Sequence, residues 1–368
     1  WSWTAAPPLA EGMAMDEAGL NPTAAVRSGE ELDWGRLDAW LKEALPQLRG
    51  KAEVSQFAGG NSNLTYRLKY ENDDLVLRRP PFGTKAKSAH NMAREYRIIS
   101  ELKPVYPAVP DALCYSDDES IIGSEFYMMR KVEGQLIKEA LPAEWNFSAD
   151  DTRRFCVNFW DKLIELHQVD YAAAGLGDFG KPDGYVARQI LGWNSRYERV
   201  ITPDVDEFAD VRAWLEGNMP PDSGRPAILH GDYRIDNVVL DLQDPGRIRA
   251  VLDWEICAIG DPLMDLGNSL AYWIQDDDPE ALQALAMQPS RAPGMLDRQG
   301  ILDLYRDRTG VETGDFTFYL VYGYWRLAVI LQQIYYRYYH GQTRDERFKR
   351  FGLQVQLLGG HCRTLIGA

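Results

Sequence analysis

Residues 228–255 run Ile-Leu-His-Gly-Asp-Tyr-Arg-Ile-Asp-Asn-Val-Val-Leu and then, after a short turn, Ala-Val-Leu-Asp-Trp-Glu, and this stretch restricts the fold more than any other. Three apolar runs, Ala227–Leu229, Val238–Leu240 and Ile248–Leu252, have the length of short strands and are separated by polar residues. His230, Asp232 and Asn237 lie between the first two runs, and Asp253 closes the third. Asn237 follows Asp232 by five positions, and Asp253 follows it by twenty-one. This is the order of parts that phosphoryl transfer from a nucleotide requires. One carboxylate receives the hydroxyl proton, while an amide and a second carboxylate hold Mg²⁺. Asp232 is the candidate base, and Asn237 and Asp253 are the candidate metal ligands. His230 is read as structural support, hydrogen-bonding the loop.

His230-Gly231-Asp232-x-x-x-x-Asn237 is followed by Leu252-Asp253-Trp254-Glu255 and then by Gly260-Asp261-Pro262-Leu263-x-Asp265-Leu266. This series resembles the aminoglycoside phosphotransferase superfamily, and within it the branch fused to some acyl-CoA dehydrogenases. The resemblance covers roughly residues 50 to 368. It implies an α+β, protein-kinase-like bilobal fold, with a small β-rich N-lobe and a larger helical C-lobe around an ATP cleft. The expected divisions are an arm and helix over 1–50, an N-lobe over 51–129, a hinge at 130–134 and a C-lobe over 135–368. Asp261 is placed to cap the helix that starts at Pro262, and the resemblance gives it a second role in steadying the catalytic loop.

Composition narrows the partners. Lys and Arg number 40 against 55 Asp and Glu, a formal net charge of −15. That balance argues against nucleic acid or an anionic membrane as a bulk partner, because both need a positive field. The four cysteines are scattered without a C-x-x-C pair, as expected of a reduced cytoplasmic protein with buried thiols. Phe316–Tyr339 is the most apolar stretch, but Arg326, Gln332, Gln333 and Arg337 interrupt it, which predicts a buried helix and no membrane span.

In chain order, residues 1 to about 30 read as a loose arm. Asp33–Leu45 follows as a helix whose apolar face packs on the small lobe. Strand, glycine turn, strand is the pattern from Val54 to Tyr70. Gly59, Gly60, Asn61, Ser62 and Asn63 form the candidate phosphate loop, because glycines let backbone amides approach oxygens. In the next strand, Leu75–Arg79, alternation puts Val76 and Arg78 on one face. By resemblance Arg78 stands where kinases place a Lys that bridges the phosphates to a helix Glu, here Glu95 in a helix from about Ser88 to Leu102. Lys85 and Lys87 lie in the connector between them. A strand over Ser124–Met129 leads into the hinge. There the resemblance assigns adenine recognition to the backbone of Arg130 and Val132, with Met129 as a pocket wall.

Downstream the pattern is helical. Ser148 caps a helix ending at His167, an imidazole expected to stabilise that terminus. Further helices are expected over 186–200, 207–216, 262–273, 295–308, 316–340 and 346–366. Trp193, Tyr197, Tyr272 and Trp273 are expected to line the acceptor side, followed by the acidic run Asp276–Asp278. Glu255 and Arg234 have no assigned role. Gly231 replaces the Arg of protein-kinase loops and no Ala-Pro-Glu follows Asp253, which disfavours a regulated protein kinase. The expectation is an ATP- and Mg²⁺-dependent kinase of a hydroxylated small molecule, the acceptor leaning to an acyl or other apolar alcohol. A nucleotide-binding pseudokinase scaffold and a metal-dependent phosphohydrolase are the alternatives.

Overall fold

A computed structural model describes residues 23–57, 63–82 and 91–368. Gly59, Gly60, Asn61 and Ser62, together with Lys85, Lys87, residues 88–90 and most of the N-terminal arm, lie outside the described residues. From the N-terminus come β1 (Thr23–Ala24), α1 (Trp34–Ala44), β2 (Glu53–Phe57), β3 (Leu64–Lys69), β4 (Asp74–Arg79), α2 (Met92–Leu102), β5 (Ala112–Ser116), α3 (Glu119–Ile122), β6 (Phe126–Arg130) and β7 (Gln135–Leu136). Next come α4 (Ala149–His167), α5 (Tyr185–Glu198), α6 (Ala209–Gly217), β8 (Ala227–Leu229), β9 (Val238–Leu240), β10 (Ile248–Val251) and β11 (Ala258–Gly260). The chain ends with α7 (Pro262–Leu270), α8 (Glu280–Gln283), α9 (Arg298–Thr309), α10 (Thr317–Tyr339) and α11 (Phe351–Ile366).

These elements form two compact units. One joins the chain up to Leu136 with Val238–Glu255, and the other joins Ile137–Asn237 with Ile256–Ala368. The division departs from the expected boundaries, because the hairpin β9–β10 and Asp253 group with the N-terminal sheet and not with the helices. The reason is local pairing. β7 hydrogen-bonds to β9, and the Val251 amide donates to the Ala108 carbonyl at 2.8 Å. Gly134 makes the approach possible, since at φ +147° any Cβ there would collide with the Leu240 carbonyl.

The first unit is built on a six-stranded antiparallel sheet in the order β1-β2-β3-β4-β6-β5. Tyr66, Leu68, Leu75, Leu77, Phe126 and Met128 form one core under α1, which contributes Leu37 and Leu41 and sets the Trp40 ring edge-on to Phe126 at 5.2 Å. Two residues of the expected loose arm are strand instead, Thr23 and Ala24 pairing with Phe57 and Gln56. Three elements, β5, α3 and β7, were not anticipated, because none carries a long periodic pattern. α2 begins at Met92 behind an Asn91 cap, and its inward face includes Glu95, with Tyr96 only half-buried.

The second unit is organised around α10, sixteen of whose residues are buried. Arg326 and Gln332 are among them, so two of the four polar residues that interrupt its apolar run are inside, whereas Gln333 is half-buried and Arg337 exposed. Gln332 donates to the Val200 carbonyl at 2.8 Å and to Thr202 Oγ1 at 3.1 Å. Among the described residues no helix is long and apolar enough to cross a membrane. α7 crosses α10 at two glycines, where a Cβ on Gly323 would fall on the Gly267 carbonyl and one on Gly267 would fall on the Tyr319 carbonyl. Tyr197 and Trp273, expected to line the acceptor site, are core residues. Tyr197 packs on Trp325 at 4.6 Å, and Trp273 stacks with Phe159 at 5.9 Å.

Gly323→Ala is expected to force α7 and α10 apart and to lower unfolding stability by about 1 to 3 kcal/mol. Gly310→Ala, with no atom within 4 Å of its Cβ, should show only the smaller penalty of its φ of +67°. Chemical denaturation of the two variants checks the difference.

Candidate active site

In the helical unit the loop after β8 turns sharply at Gly231. A φ of +81° explains why glycine stands there: an L side chain would be strained, and its Cβ would lie 3.1 Å from the Ile256 carbonyl. Asp232 follows with its side chain 20% exposed. Asn237, in a short 3₁₀ turn, donates its Nδ2 to the Asp232 carbonyl at 2.9 Å and to Asp232 Oδ2 at 3.3 Å. The amide oxygen of Asn237 is thereby the end left for another partner. Arg234 Nε stands 3.5 Å from Asp232 Oδ1, and Arg234 also bonds Asp236 at 2.9 Å.

What holds this loop is a carboxylate not assigned from the sequence. Asp265, buried on the first turn of α7, accepts from the His230 amide at 2.7 Å and from the Gly231 amide at 2.8 Å. Asp261 does not reach the loop. It caps α7 through Leu263 N at 2.9 Å and accepts from Ser223 N at 2.7 Å, so the second role expected of it belongs to Asp265. His167 is likewise more than a terminal imidazole. It is buried, with Nδ1 3.0 Å from the Tyr305 hydroxyl and Nε2 3.3 Å from Asp265 Oδ2. Burial works against the Asp265 charge, but the hydrogen bond and charge of His167, with His230, outweigh it and hold its pKa below the ordinary carboxylate value. His230 is fully buried, and its Nδ1 lies 3.3 Å from the Asp232 amide that donates to it. On the far side the Gly231 carbonyl accepts from Asn268 Nδ2 at 2.7 Å and from Arg326 Nη2 at 2.9 Å. The motif spacing Gly260-Asp261-Pro262-Leu263-x-Asp265 carried this signal, but two acids in one helix start are not distinguishable without the tertiary contact.

In the sheet unit, register puts Val76 opposite Met129 and Arg78 opposite Tyr127, so all four share one face. Val76 and Met129 are 5% and 8% exposed, an adjacent apolar pair one step from the Arg78 guanidinium. Arg78 Nε lies 3.3 Å from Glu95 Oε1, and Nη2 lies 3.2 Å from Asp253 Oδ1 and 3.7 Å from Glu255 Oε2. Asn63, the last residue of the candidate phosphate loop, donates to Glu255 Oε2 at 2.9 Å. Asp253 adopts φ +68°, a conformation that non-glycine residues rarely take and that recurs at functional positions.

Three carboxylates around one guanidinium leave excess negative charge. Burial disfavours the Arg78 cation, yet Glu95, Asp253 and Glu255 together raise its pKa well above the usual guanidinium value. Burial and the Asp253 charge push Glu95 upward against the pull of Arg78. Glu255 is pushed up to about 8, first by burial and then by Asp253. Arg78 Nε, both Glu95 oxygens and the Tyr127 hydroxyl are buried without an aligned hydrogen bond among the described residues. Such a surplus favours a cation at Asp253. Mg²⁺ takes oxygen donors and binds through one or two protein ligands beside phosphate and water, so the Asp253 carboxylate is a donor of the right chemistry. Among the described residues no group of three or more His, Cys, Asp or Glu is arranged to hold a metal ion, a finding compatible with that sparse ligand set.

Other expectations are corrected. The Arg130 amide donates to the Asp111 carbonyl at 2.8 Å, so that N–H is not available to an adenine edge. Arg130 and Val132 line a groove of about 820 Å³ with Arg67, Asp74 and Lys103. Its charges are paired internally, Arg67 with Asp74 and Lys103 with Asp111, each at 2.6 Å. Arg79, the neighbouring cation, is consumed in structure by the Pro80 and Ile122 carbonyls at 3.0 and 2.9 Å. In the acidic run Asp276 and Asp277 are exposed just ahead of α8, as in a solvated helix start, and only Asp278 is buried, against Arg298 at 2.8 and 2.7 Å.

The phosphotransferase enzyme family model matches residues 53–300. Acyl-CoA dehydrogenase family member 11 of Gallus gallus is 31% identical over 346 residues, which cover 91% of this chain and 44% of that protein. The chain thus spans less than half of that relative. A Ralstonia eutropha structure described as a candidate aminoglycoside phosphotransferase superposes with a TM-score of 0.77 at 30% identity, covering 91% of this chain and 98% of the other. A choline kinase from Cryptosporidium parvum shares the fold at 12% identity, with a TM-score of 0.61 and coverage of 90% and 96%.

Asp265→Asn is expected to leave one loop amide facing an N–H group and to cost roughly 2 to 3 kcal/mol of stability. Because the Asp265 pKa is depressed on folding, its contribution is complete above the unfolded carboxylate pKa and is lost as pH falls through the folded value. Denaturation curves across acidic pH should therefore show a shallower acid limb in the variant. Arg78→Ala is expected to cost about 2 to 4 kcal/mol in transition-state stabilisation, with Arg78→Lys weaker than wild type and not improved. Steady-state kinetics against ATP checks both, and a wild-type Arg78→Ala would remove Arg78 from the site.

Proposed function

The chain belongs to the phosphotransferase enzyme family, and we propose that it moves the γ-phosphate of ATP onto a hydroxyl of a small molecule in a Mg²⁺-dependent reaction. The observation that carries this reading is the sheet face on which Val76 and Met129 adjoin Arg78, itself joined to Glu95 and Asp253. An apolar floor followed by a cation and a metal-binding acid suits a flat base followed by phosphates. The glycine turn at Gly59, Gly60, Asn61, Ser62 and Asn63 would cradle phosphate oxygens, Asn63 being tied to Glu255 at 2.9 Å.

Asn237 and Asp253 would hold Mg²⁺, which when bound neutralises phosphate charge. Asp232 orients the acceptor hydroxyl and takes its proton as the hydroxyl oxygen bonds to the γ-phosphorus. The bond from the γ-phosphorus to its bridging oxygen breaks, and ADP departs with that electron pair. Asn237 keeps the Asp232 carboxylate aimed through its Nδ2, and Asp265 keeps the loop backbone in place. The relatives named for acyl-CoA dehydrogenases support an acyl-bearing alcohol as acceptor over a polyamine antibiotic.

Asp232→Ala is expected to lower turnover by about 10²- to 10⁴-fold while nucleotide affinity stays within a few-fold. Asp253→Ala should lose Mg²⁺-dependent nucleotide binding as well. ATP consumption measured with and without a hydroxylated acceptor separates the alternatives: a scaffold consumes none, a hydrolase needs no acceptor, and a kinase needs one.

A further inference from the structure

Three helices meet behind the Asp232 loop: α7 supplies Asp265, α4 ends at His167 and α9 supplies Tyr305. The His167 and Asp265 side chains are 2% and 1% exposed, and Tyr305 is 2% exposed. At that depth each polar atom depends on a protein partner.

Those partners fix where the protons lie. Asp265 accepts the His230 amide at Oδ2 and the Gly231 amide at Oδ1, and its lowered pKa keeps it a carboxylate. A carboxylate only accepts, so the His167 Nε2 that stands 3.3 Å from Oδ2 carries a hydrogen. With that hydrogen on Nε2, a neutral ring leaves Nδ1 as an acceptor. Nδ1 lies 3.0 Å from the Tyr305 hydroxyl, which is the donor it needs. Burial, then the Asp265 and Asp261 charges, push the Tyr305 pKa above the ordinary phenol value and keep that proton on oxygen. Donation therefore runs one way, from Tyr305 to His167 to Asp265. Beyond Asp265 the Asp232 amide donates to His230 Nδ1 at 3.3 Å, so three consecutive loop amides are bound by side chains.

We infer that His167 and Tyr305 are positioning residues for Asp232: Tyr305 fixes His167 as its Nε2–H tautomer, and that N–H fixes the carboxylate on which the loop hangs. The inference rests on the phosphoryl-transfer reading, in which Asp232 meets the acceptor hydroxyl. Without the His167 N–H, Asp265 keeps its two amides but loses the third contact that sets its rotation, and the loop shifts with it. A misplacement of about 1 Å at a reacting group costs about 10²-fold in rate. Both side chains are buried away from nucleotide and acceptor, so the loss falls on kcat and spares KM.

The test uses the intact protein. With isotope-labelled histidine, nuclear magnetic resonance should show His167 as the Nε2–H tautomer, and Tyr305→Phe should move its Nδ1 resonance because the donor is gone. The His230 and Gly231 amide resonances should shift in His167→Phe. Turnover is followed with ATP and the methyl esters of hydroxyoctanoic acids as acceptors. His167→Phe, which keeps a ring and loses both nitrogens, is expected to lower kcat roughly 10- to 100-fold with KM for ATP within about twofold. His167→Gln, which restores a neutral N–H donor, should recover most of that loss. Circular dichroism confirms folding, and Tyr305→Phe, with a smaller drop in kcat, carries the kinetic test should His167→Phe not fold. An Nδ1–H tautomer, wild-type kcat in folded His167→Phe or, failing that variant, in Tyr305→Phe, a His167→Gln no better than His167→Phe, or a loss that falls on KM for ATP would overturn the inference. If the wild type consumes no ATP with these acceptors while the Nε2–H tautomer and the amide shifts are present, the phosphoryl-transfer reading fails and the support of the loop by His167 and Tyr305 stands.

Discussion

A buried carboxylate on the first turn of α7 holds the loop on which Asp232 sits. Asp265 accepts the amides of His230 and Gly231, and its remaining charge is met by His167. Two consecutive backbone N–H groups in a tight turn have no strand or helix partner, and burying them unpaired would cost about 1 to 3 kcal/mol each. An ionised acceptor removes that cost and fixes the turn in one conformation. Everything else around the loop follows from this constraint. Gly231 must be glycine because the turn has positive φ, and its carbonyl is then left to Asn268 and Arg326. Tyr305 fixes the far nitrogen of His167, so the support reaches α9.

The sheet unit solves a different problem with Arg78. A guanidinium stays charged when buried and can spread its N–H groups over several carboxylates, whereas an ammonium is a point charge. Here Arg78 faces Glu95, Asp253 and Glu255 within 3.7 Å. One positive charge does not balance three negative ones, and burial first, with the Asp253 charge adding to it, pushes Glu95 and Glu255 upward. The arrangement is unfavourable as a closed structural network, because the buried negative charge exceeds the positive.

Much of this was legible in the chain itself. Strands 227–229, 238–240 and 248–251 fall where short apolar runs predicted them, and the Ser148 cap opens α4 through a full capping box with Asp151. Periodicity located α1, α4 and α10 because each buries a stripe of the right period. It missed β5, α3 and β7, which are short and owe their conformation to neighbours already in place. It also misread Tyr197 and Trp273, since an aromatic residue on a helix looks the same whether it packs on Trp325 or lines a cavity.

The order His230, Asp232, Asn237, Asp253 determined the class of chemistry and the kinase-like family, because catalytic spacing within a loop and between adjacent strands is a local property. Arg78 and Val76 on one strand face are also local, set by the two-residue alternation of an extended chain. Only the tertiary structure decided that Asp265 and not Asp261 grips the loop, that Asp278 is spent on Arg298, and that β9–β10 belongs with the sheet. It alone brought His167 and Tyr305 behind Asp265. Each of these is a choice between chemically equivalent side chains or faces. The choice is made by contacts tens to more than a hundred residues apart, a distance across which no sequence period extends.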